Sequence, residues 1–331
     1  MQTTTLGRSG LAVSRLGLGL AALGRPGYIN LGHADDLQRD YDVGAMQARA
    51  HAVLDAAWAA GVRYYDAARS YGRAEAFLAS WLQARGVAAP NVTIGSKWGY
   101  VYTAGWRTDA EAHEVKQHSL DTLERQLTES RALFDRHLDL YQIHSATLDS
   151  GVLGNRPVLE RLARLRDDGV AIGLSLSGAR QADTLRQAMT VRVGGAPLFA
   201  TAQATWNLLE PSAGAALGEA HAAGMGIIVK ETLANGRLTA RNRAPAFAAA
   251  RRVLEDQARR RHCSVDALAL AAALAQPWAD VVLSGAASLE HLRSNLAALD
   301  VAWDDAAQEG LAAIAEDAGD YWKTRAAMPW N

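Results

Sequence analysis

Eight short β-rich runs, each separated from the next by a stretch with apolar residues at helical spacing, set the fold of this 331-residue chain. The predicted strands are Leu16–Leu20, Val62–Tyr65, Val92–Ser96, Leu138–Ile143, Ala171–Leu174, Phe199–Ala204, Gly226–Val229 and Val281–Leu283. Between them, segments such as 47–60, 74–85, 110–130, 158–168, 213–223 and 246–261 carry the 3.6-residue apolar period of a helix. Several stop at a glycine (Gly61, Gly86, Gly169, Gly224), the residue that most easily takes the left-handed closing conformation. Alternating strand and helix imply a parallel sheet. Eight such units with nearly continuous apolar strands imply closure into a (β/α)8 barrel wrapped by helices. A prior of about 150 residues per domain would divide the chain in two, but α/β barrels run longer as one unit. No Pro/Gly/Ser linker splits it, so residues 1–331 are expected to form a single domain. The opening TTTLGRSGLAV reads as a β-hairpin ahead of the first strand, and extra helices follow the last one.

Composition narrows the partners. The formal net charge is -1, which disfavours nucleic acid and acidic membrane surfaces. The longest apolar stretch, from Ala267, is too short to cross a bilayer. One cysteine, Cys263, permits no intrachain disulfide. With no signal-peptide pattern at the N-terminus, this points to the cytoplasm. No metal site is expected: there are no paired cysteines, and His113 and His118, placed on the helix predicted over 110–130, are five apart and do not share a face.

A dinucleotide fingerprint is suggested by GLGLAALG from Gly17, but that motif needs a helix directly after its glycines. Gly24, Pro26 and Gly27 forbid one. Polar groups gather instead where strands end. Asp66 closes the second run, and Tyr71 follows in YYDAARSYG. Lys97 ends the third, and His144 the fourth. Each alone has an ordinary reading as a cap, a solvated amine or a satisfied histidine. Together, on consecutive strands of a barrel, they can meet on the C-terminal face, where barrel active sites lie. A lysine cation near a phenol favours phenolate and lowers the phenol pKa. Asp66 can hold that lysine charged and oriented, and His144 can hydrogen-bond a substrate oxygen. The set makes a general acid for a carbonyl oxygen and no covalent nucleophile, so a hydride donor is required, and nicotinamide is the natural one.

These stretches also resemble a known family. LGRSGLAVSRLGLG, YYDAARSYG, IGSKWG, LYQIHS, AIGLSLSG, AQATWNLLEPSA, IVKETLANGRL and VVLSGAASLEHLRSNLAALD follow, in order, the pattern of the aldo-keto reductases across about residues 3–300. The resemblance implies Tyr71 as proton donor, Lys97 as its electrostatic partner, Asp66 as orienter and His144 as the group that positions the carbonyl. It implies nicotinamide contacts at Ser175, Gln203 and Lys230, and a pyrophosphate loop through Glu231, Thr232, Leu233, Asn235 and Arg237. Adenosine contacts fall at Gly285, Ser288, His291 and Asn295. Two positions depart from the pattern: Leu176 stands where asparagine is usual, and Lys230 where an aromatic ring often stacks. NADP(H) is favoured by family habit and NAD(H) remains possible, Ser288 standing where a basic residue is common and Arg293 being a candidate substitute. The substrate is expected to be a small carbonyl or alcohol, in an aromatic pocket built from Tyr28, Trp98, Trp106 and Trp206. The Trp-rich tail carrying Trp322 and Trp330 is either a lid on that pocket or a clasp on the barrel wall. Two other functions share this fold: a redox-neutral isomerase or dehydratase, and a non-catalytic nicotinamide-binding subunit.

Overall fold

The computed structural model describes residue 1 and residues 3–331. Its centre is a closed barrel of eight parallel strands. In chain order these are β1 (Leu16–Gly19), β2 (Tyr64–Asp66), β3 (Thr93–Trp98), β4 (Leu140–Ala146), β5 (Ala171–Leu176), β6 (Thr201–Thr205), β7 (Gly226–Lys230) and β8 (Val281–Ser284). Each strand pairs with its sequence neighbours, and β8 closes onto β1 through Val282, Leu283 and Ser284. The expected barrel is therefore present, with helices around it.

Two apolar layers hold it. Between strands and helices lies the larger core, with Trp81, Trp98, Leu123, Leu162, Leu217 and Leu270 among its fully buried members. Inside the barrel a smaller cluster joins Tyr64, Leu140, Ile228 and Val281 to Leu6 and Val13 of the N-terminal hairpin. That hairpin, Thr3–Thr5 against Ala12–Ser14, is the one read from the sequence, and it closes the barrel at the N-terminal ends of the strands. Bulk inside the barrel is balanced by glycine. A Cβ at Gly95 would stand 2.5 Å from the Tyr64 hydroxyl, and one at Gly17 would stand 2.9 Å from its ring. These glycines make room for a buried phenol in a packed interior.

The helix expected over 110–130 begins only at Leu120 and runs to Phe134. Ser119 caps it through the Thr122 N–H. Upstream, Glu114–Lys116 pairs antiparallel with Tyr100–Tyr102. His113 and His118 therefore sit on either side of this small hairpin strand, not on a helix. Three helices follow β8, namely Leu289–Leu296, Asp305–Ala312 and Ala318–Ala326, where the sequence suggested extra helices. Among the described residues, no helix is long and apolar enough to cross a membrane.

Candidate active site

Side chains alternate across a strand, so Lys97 and its neighbour Trp98 must face opposite ways. Lys97 points into the barrel mouth and is fully buried. There it forms an ion pair with Asp66, which is 2% exposed. The Lys97 Nζ also donates to the Ala67 carbonyl at 3.0 Å. The other Asp66 oxygen accepts from Tyr64 Oη (3.1 Å), Gln203 Nε2 (2.9 Å) and Gln142 Nε2 (3.3 Å). A buried carboxylate is tolerated only when paired and hydrogen-bonded, and this one is both. Gln142, which sequence reasoning did not single out, completes the layer from β4. Its strand position two residues before His144 was the available signal.

Tyr71 stands above this layer. Its hydroxyl is 3.5 Å from Lys97 Nζ and 3.5 Å from His144 Nε2. The rings of Tyr71 and His144 meet edge-on with centroids 5.4 Å apart. A register break between Ile143 and Ala146 lets β4 re-aim its end, with Ser145 in the left-handed region at φ 51°. The Ser145 N–H donates to Ser175 Oγ at 2.8 Å, which pins that bend. The structure thus brings Asp66, Tyr71, Lys97 and His144 to one point.

Electrostatics differ from the sequence expectation. Burial, reinforced by the Asp66 carboxylate, pushes the Tyr71 phenol well above its ordinary pKa of 10. In the resting site Lys97, paired with Asp66, does not outweigh that burial, and the phenol keeps its proton. Tyr71 is therefore an acid at neutral pH. Burial and the nearby Lys97 cation hold the His144 imidazole well below 6.5, so the ring is neutral.

Asp66, Tyr71 and His144 line a cleft of about 500 Å³ on the C-terminal face, with Lys97 buried beneath them. Arg25, Tyr28, Tyr100, Glu114 and Trp330 also wall it. Arg25 was not anticipated. It is 2% exposed, bonds the Ser70 carbonyl at 3.0 Å and Glu114 at 2.8 Å, and faces the rings of Tyr28, Tyr71 and Trp330. Trp330 also stacks flat on His113, with centroids 4.3 Å apart and planes 7° apart. The C-terminal segment therefore forms part of the cleft wall. Trp98 and Trp206 do not. Trp98 is fully buried behind Lys97, and Trp206 packs edge-on against Trp278. Trp106 packs edge-on against Phe77 and donates to the Tyr41 carbonyl, also away from the cleft. The aromatic pocket expected from four residues keeps only Tyr28 of them; Tyr71, Tyr100 and Trp330 supply the other rings, with the charged Arg25 and Glu114 among them.

Lys230 lines the cleft, donates to Thr205 Oγ1 at 2.7 Å and lies 3.8 Å from Glu231. Burial pushes its amine down to about 8. Glu231 pairs with Arg325 of the C-terminal helix, and that cation, with Lys230, holds the carboxyl down at about 2 against its burial. Glu231, Ala234 and Asn235 all adopt positive φ (55°, 47° and 56°), a concentration of backbone strain typical of a functional loop. Thr232, Leu233 and Asn235 wall the cleft. Arg237 does not, because it turns to Glu316 in an ion pair. At the far end Gly285, His291 and Asn295 wall the cleft, while Ser288 caps the helix that starts at Leu289 through the His291 N–H. Ser175 is committed to Ser145, and Leu176 is buried in the core. Arg293 is exposed and away from the cleft.

The cleft is partly roofed. Loops leaving β1 and β7 bond each other through Leu31 N–H to Asn235 O (3.0 Å), Asn235 Nδ2 to Ile29 O (2.8 Å) and Arg241 to Gly32 O (3.2 Å). Since β8 stands between β7 and β1 in the barrel, this bridge passes over the end of β8.

A model of the Aldo/keto reductase family matches residues 15–316. The chain belongs to that family. Among solved structures, this aldo/keto reductase is similar to an aldo-keto reductase from Bacillus halodurans, described in its holo form. The TM-score is 0.71 at 19% identity, covering 96% of this chain and 97% of that one, and the likeness bears on the fold alone. It is also similar to a Pseudomonas aeruginosa protein designated an aldo-keto reductase, with a TM-score of 0.62 at 25% identity, covering 90% and 94%. A curated relative, the pyridoxal 4-dehydrogenase of Microbacterium luteolum, is 30% identical over 160 residues. That match spans 42% of this chain and 42% of the relative's length.

One consequence of the burial beside the site can be measured. His33, fully buried under Tyr28, has its imidazole pushed down from 6.5 to about 4 by burial. In the unfolded chain the ring takes a proton near pH 6.5. Below that pH the unfolded state binds more protons than the folded one, so stability falls as pH drops from about 6.5 towards about 4. A His33→Gln variant is expected to lose less stability than the wild type between about pH 7 and about pH 4.5 in denaturant unfolding. Equal losses would mean that His33 is not held neutral.

Proposed function

We propose that this aldo/keto reductase is a nicotinamide-dependent oxidoreductase that interconverts a small carbonyl compound and its alcohol. The observation that carries the reading is the Tyr71 hydroxyl, 3.5 Å from both Lys97 Nζ and His144 Nε2 at the base of an open cleft. Tyr71, protonated at neutral pH, gives its proton to the substrate oxygen during reduction and takes it back during oxidation. Lys97, braced by Asp66, stabilises the phenolate charge as it develops. Neutral His144 presents Nε2–H to the same oxygen, and Ser70 Oγ, 3.3 Å from Nδ1, donates to the other nitrogen and fixes that tautomer.

The cleft suits a dinucleotide. Thr232, Asn235 and Asn295 line it, and Thr232 Oγ1, Asn235 Oδ1 and Asn295 Oδ1 are buried without a hydrogen-bond partner. Such atoms call for a polar ligand. Gly285 has open space where a Cβ would stand, so backbone there can approach a ligand closely. When bound, nicotinamide supplies the hydride, and the protein supplies the proton and the geometry. Gln203, Lys230, Thr232, Asn235 and Asn295 would hold the cofactor.

The test is nicotinamide absorbance with a panel of aldehydes and alcohols that includes pyridoxal, the compound named in the Microbacterium relative. Substrate-dependent change supports the proposal. Cofactor binding with no turnover on any member would favour a binding subunit. Product formation with unchanged absorbance would favour redox-neutral chemistry.

A further inference from the structure

The end of the cleft remote from Tyr71 has a charge pattern of its own. Its walls include Gly285, Ala286, Glu290, His291, Asn295, Asp266 and Arg241. Arg241 is the one Lys or Arg walling this end among the described residues, and it is already engaged. It forms an ion pair with Asp36, a residue of the first loop whose side chain is 2% exposed, and it lies 3.2 Å from His291 Nε2. His291 Nε2 also lies 3.5 Å from the Asp36 oxygen that Arg241 holds, while the second Asp36 oxygen is buried without a partner. Glu290 and Asp266 are two acids of the cleft wall, and the one cation there is already paired with Asp36. Arg293, the basic residue nearest in sequence, is exposed and outside the cleft. Arg49, behind the loop, is bonded to the Leu37 carbonyl.

We infer that this end selects a dinucleotide whose adenosine ribose carries no phosphate, so that the protein uses NAD(H) in preference to NADP(H). The inference rests on the proposed nicotinamide chemistry, which places the reacting ring beside Tyr71 and therefore the adenosine at the opposite end of an extended ligand. A ribose 2′-phosphate brings a charge of about -1.5 to -2 at neutral pH. It would meet Glu290 and Asp266 with no free cation to pair with, and like charges at such range are repulsive. Recruiting Arg241 would strip Asp36 of its guanidinium and leave a buried carboxylate with only the His291 imidazole beside it, which is unfavourable. Free ribose hydroxyls have neither problem, because they can donate to an acid.

Binding tests this without any substrate. The purified protein is titrated separately with NADH and NADPH, following quenching of its tryptophans. NADH is expected to bind at least about tenfold more tightly than NADPH. Glu290→Lys, at an exposed position in the first turn of its helix, is expected to raise NADPH affinity by about threefold to tenfold, with a small fall in the unfolding midpoint from the reversed charge at the helix N-terminus. Asp36→Asn, which releases Arg241, is expected to move NADPH in the same direction. The preference should also shrink as salt rises, since part of it is exposed-charge repulsion. NADPH binding as tightly as NADH, or no response of NADPH to either variant, would overturn the inference. If neither nucleotide binds, the nicotinamide proposal fails and takes this one with it.

Discussion

Replacing Tyr71 with phenylalanine is expected to lower kcat by about 10²–10⁴-fold, the range over which a positioned general acid acts. The ring is kept, so its packing against His144 and the Arg25 guanidinium survives. Only the hydroxyl that bridges Lys97 and His144 is lost. Nucleotide affinity should therefore change little, and the defect should lie in kcat rather than in cofactor binding. Steady-state assays beside fluorescence titration of NADH separate the two. Retention of near-wild-type turnover by Tyr71→Phe would remove the proton donor from the proposed chemistry and with it the main reason for assigning this site.

A second large effect is expected at Lys97. Lys97→Met fills much the same volume but leaves Asp66 as a buried carboxylate without its cation. Breaking a buried pair from one side costs about 3–5 kcal/mol. Tyr64, Gln142 and Gln203 still donate to Asp66, which places the loss towards the lower end of that range. Turnover should fall as well, because the developing phenolate loses its counter-charge. The double variant Asp66→Asn/Lys97→Met separates the two roles. It should regain much of the stability, since no bare charge remains, and none of the turnover. Denaturant unfolding of the wild type, both single variants and the double variant completes the cycle. An unchanged midpoint for Lys97→Met would show that the pair is not buried as described.

The barrel was legible because its signal is redundant. Eight strands, their separating helices and their closing glycines all state the same alternation, and local errors do not disturb it. The convergence of Asp66, Tyr71, Lys97 and His144 was legible for a related reason: each follows or ends a strand, and the topology does the rest. What failed was anything decided by a pairing or a direction. The stretch from Ala110 has helix-favouring residues, but Glu114–Lys116 found a strand partner in Tyr100–Tyr102, and tertiary pairing outweighed propensity. The direction of Trp98 could have been deduced, since an inward Lys97 requires an outward neighbour. The side chains of Arg25 and Arg237 could not. Arg25 occupies the cleft because Glu114 arrives from the unanticipated hairpin, and Arg237 leaves it because Glu316 arrives from beyond the last strand. Charge partners so distant in sequence leave no local trace.

The bridge between the first loop and the loop after β7 has a temporal consequence. A long, thin guest cannot be lowered sideways onto a floor that is already spanned. It must enter end-on, or wait until the Leu31–Asn235 and Asp36–Arg241 contacts part together. Opening of that kind belongs to the microsecond-to-millisecond motions of loops and lids. In the proposed enzyme the pace of exchange depends on these two loop segments, and a change in either can alter how long a guest stays without touching the chemistry it undergoes.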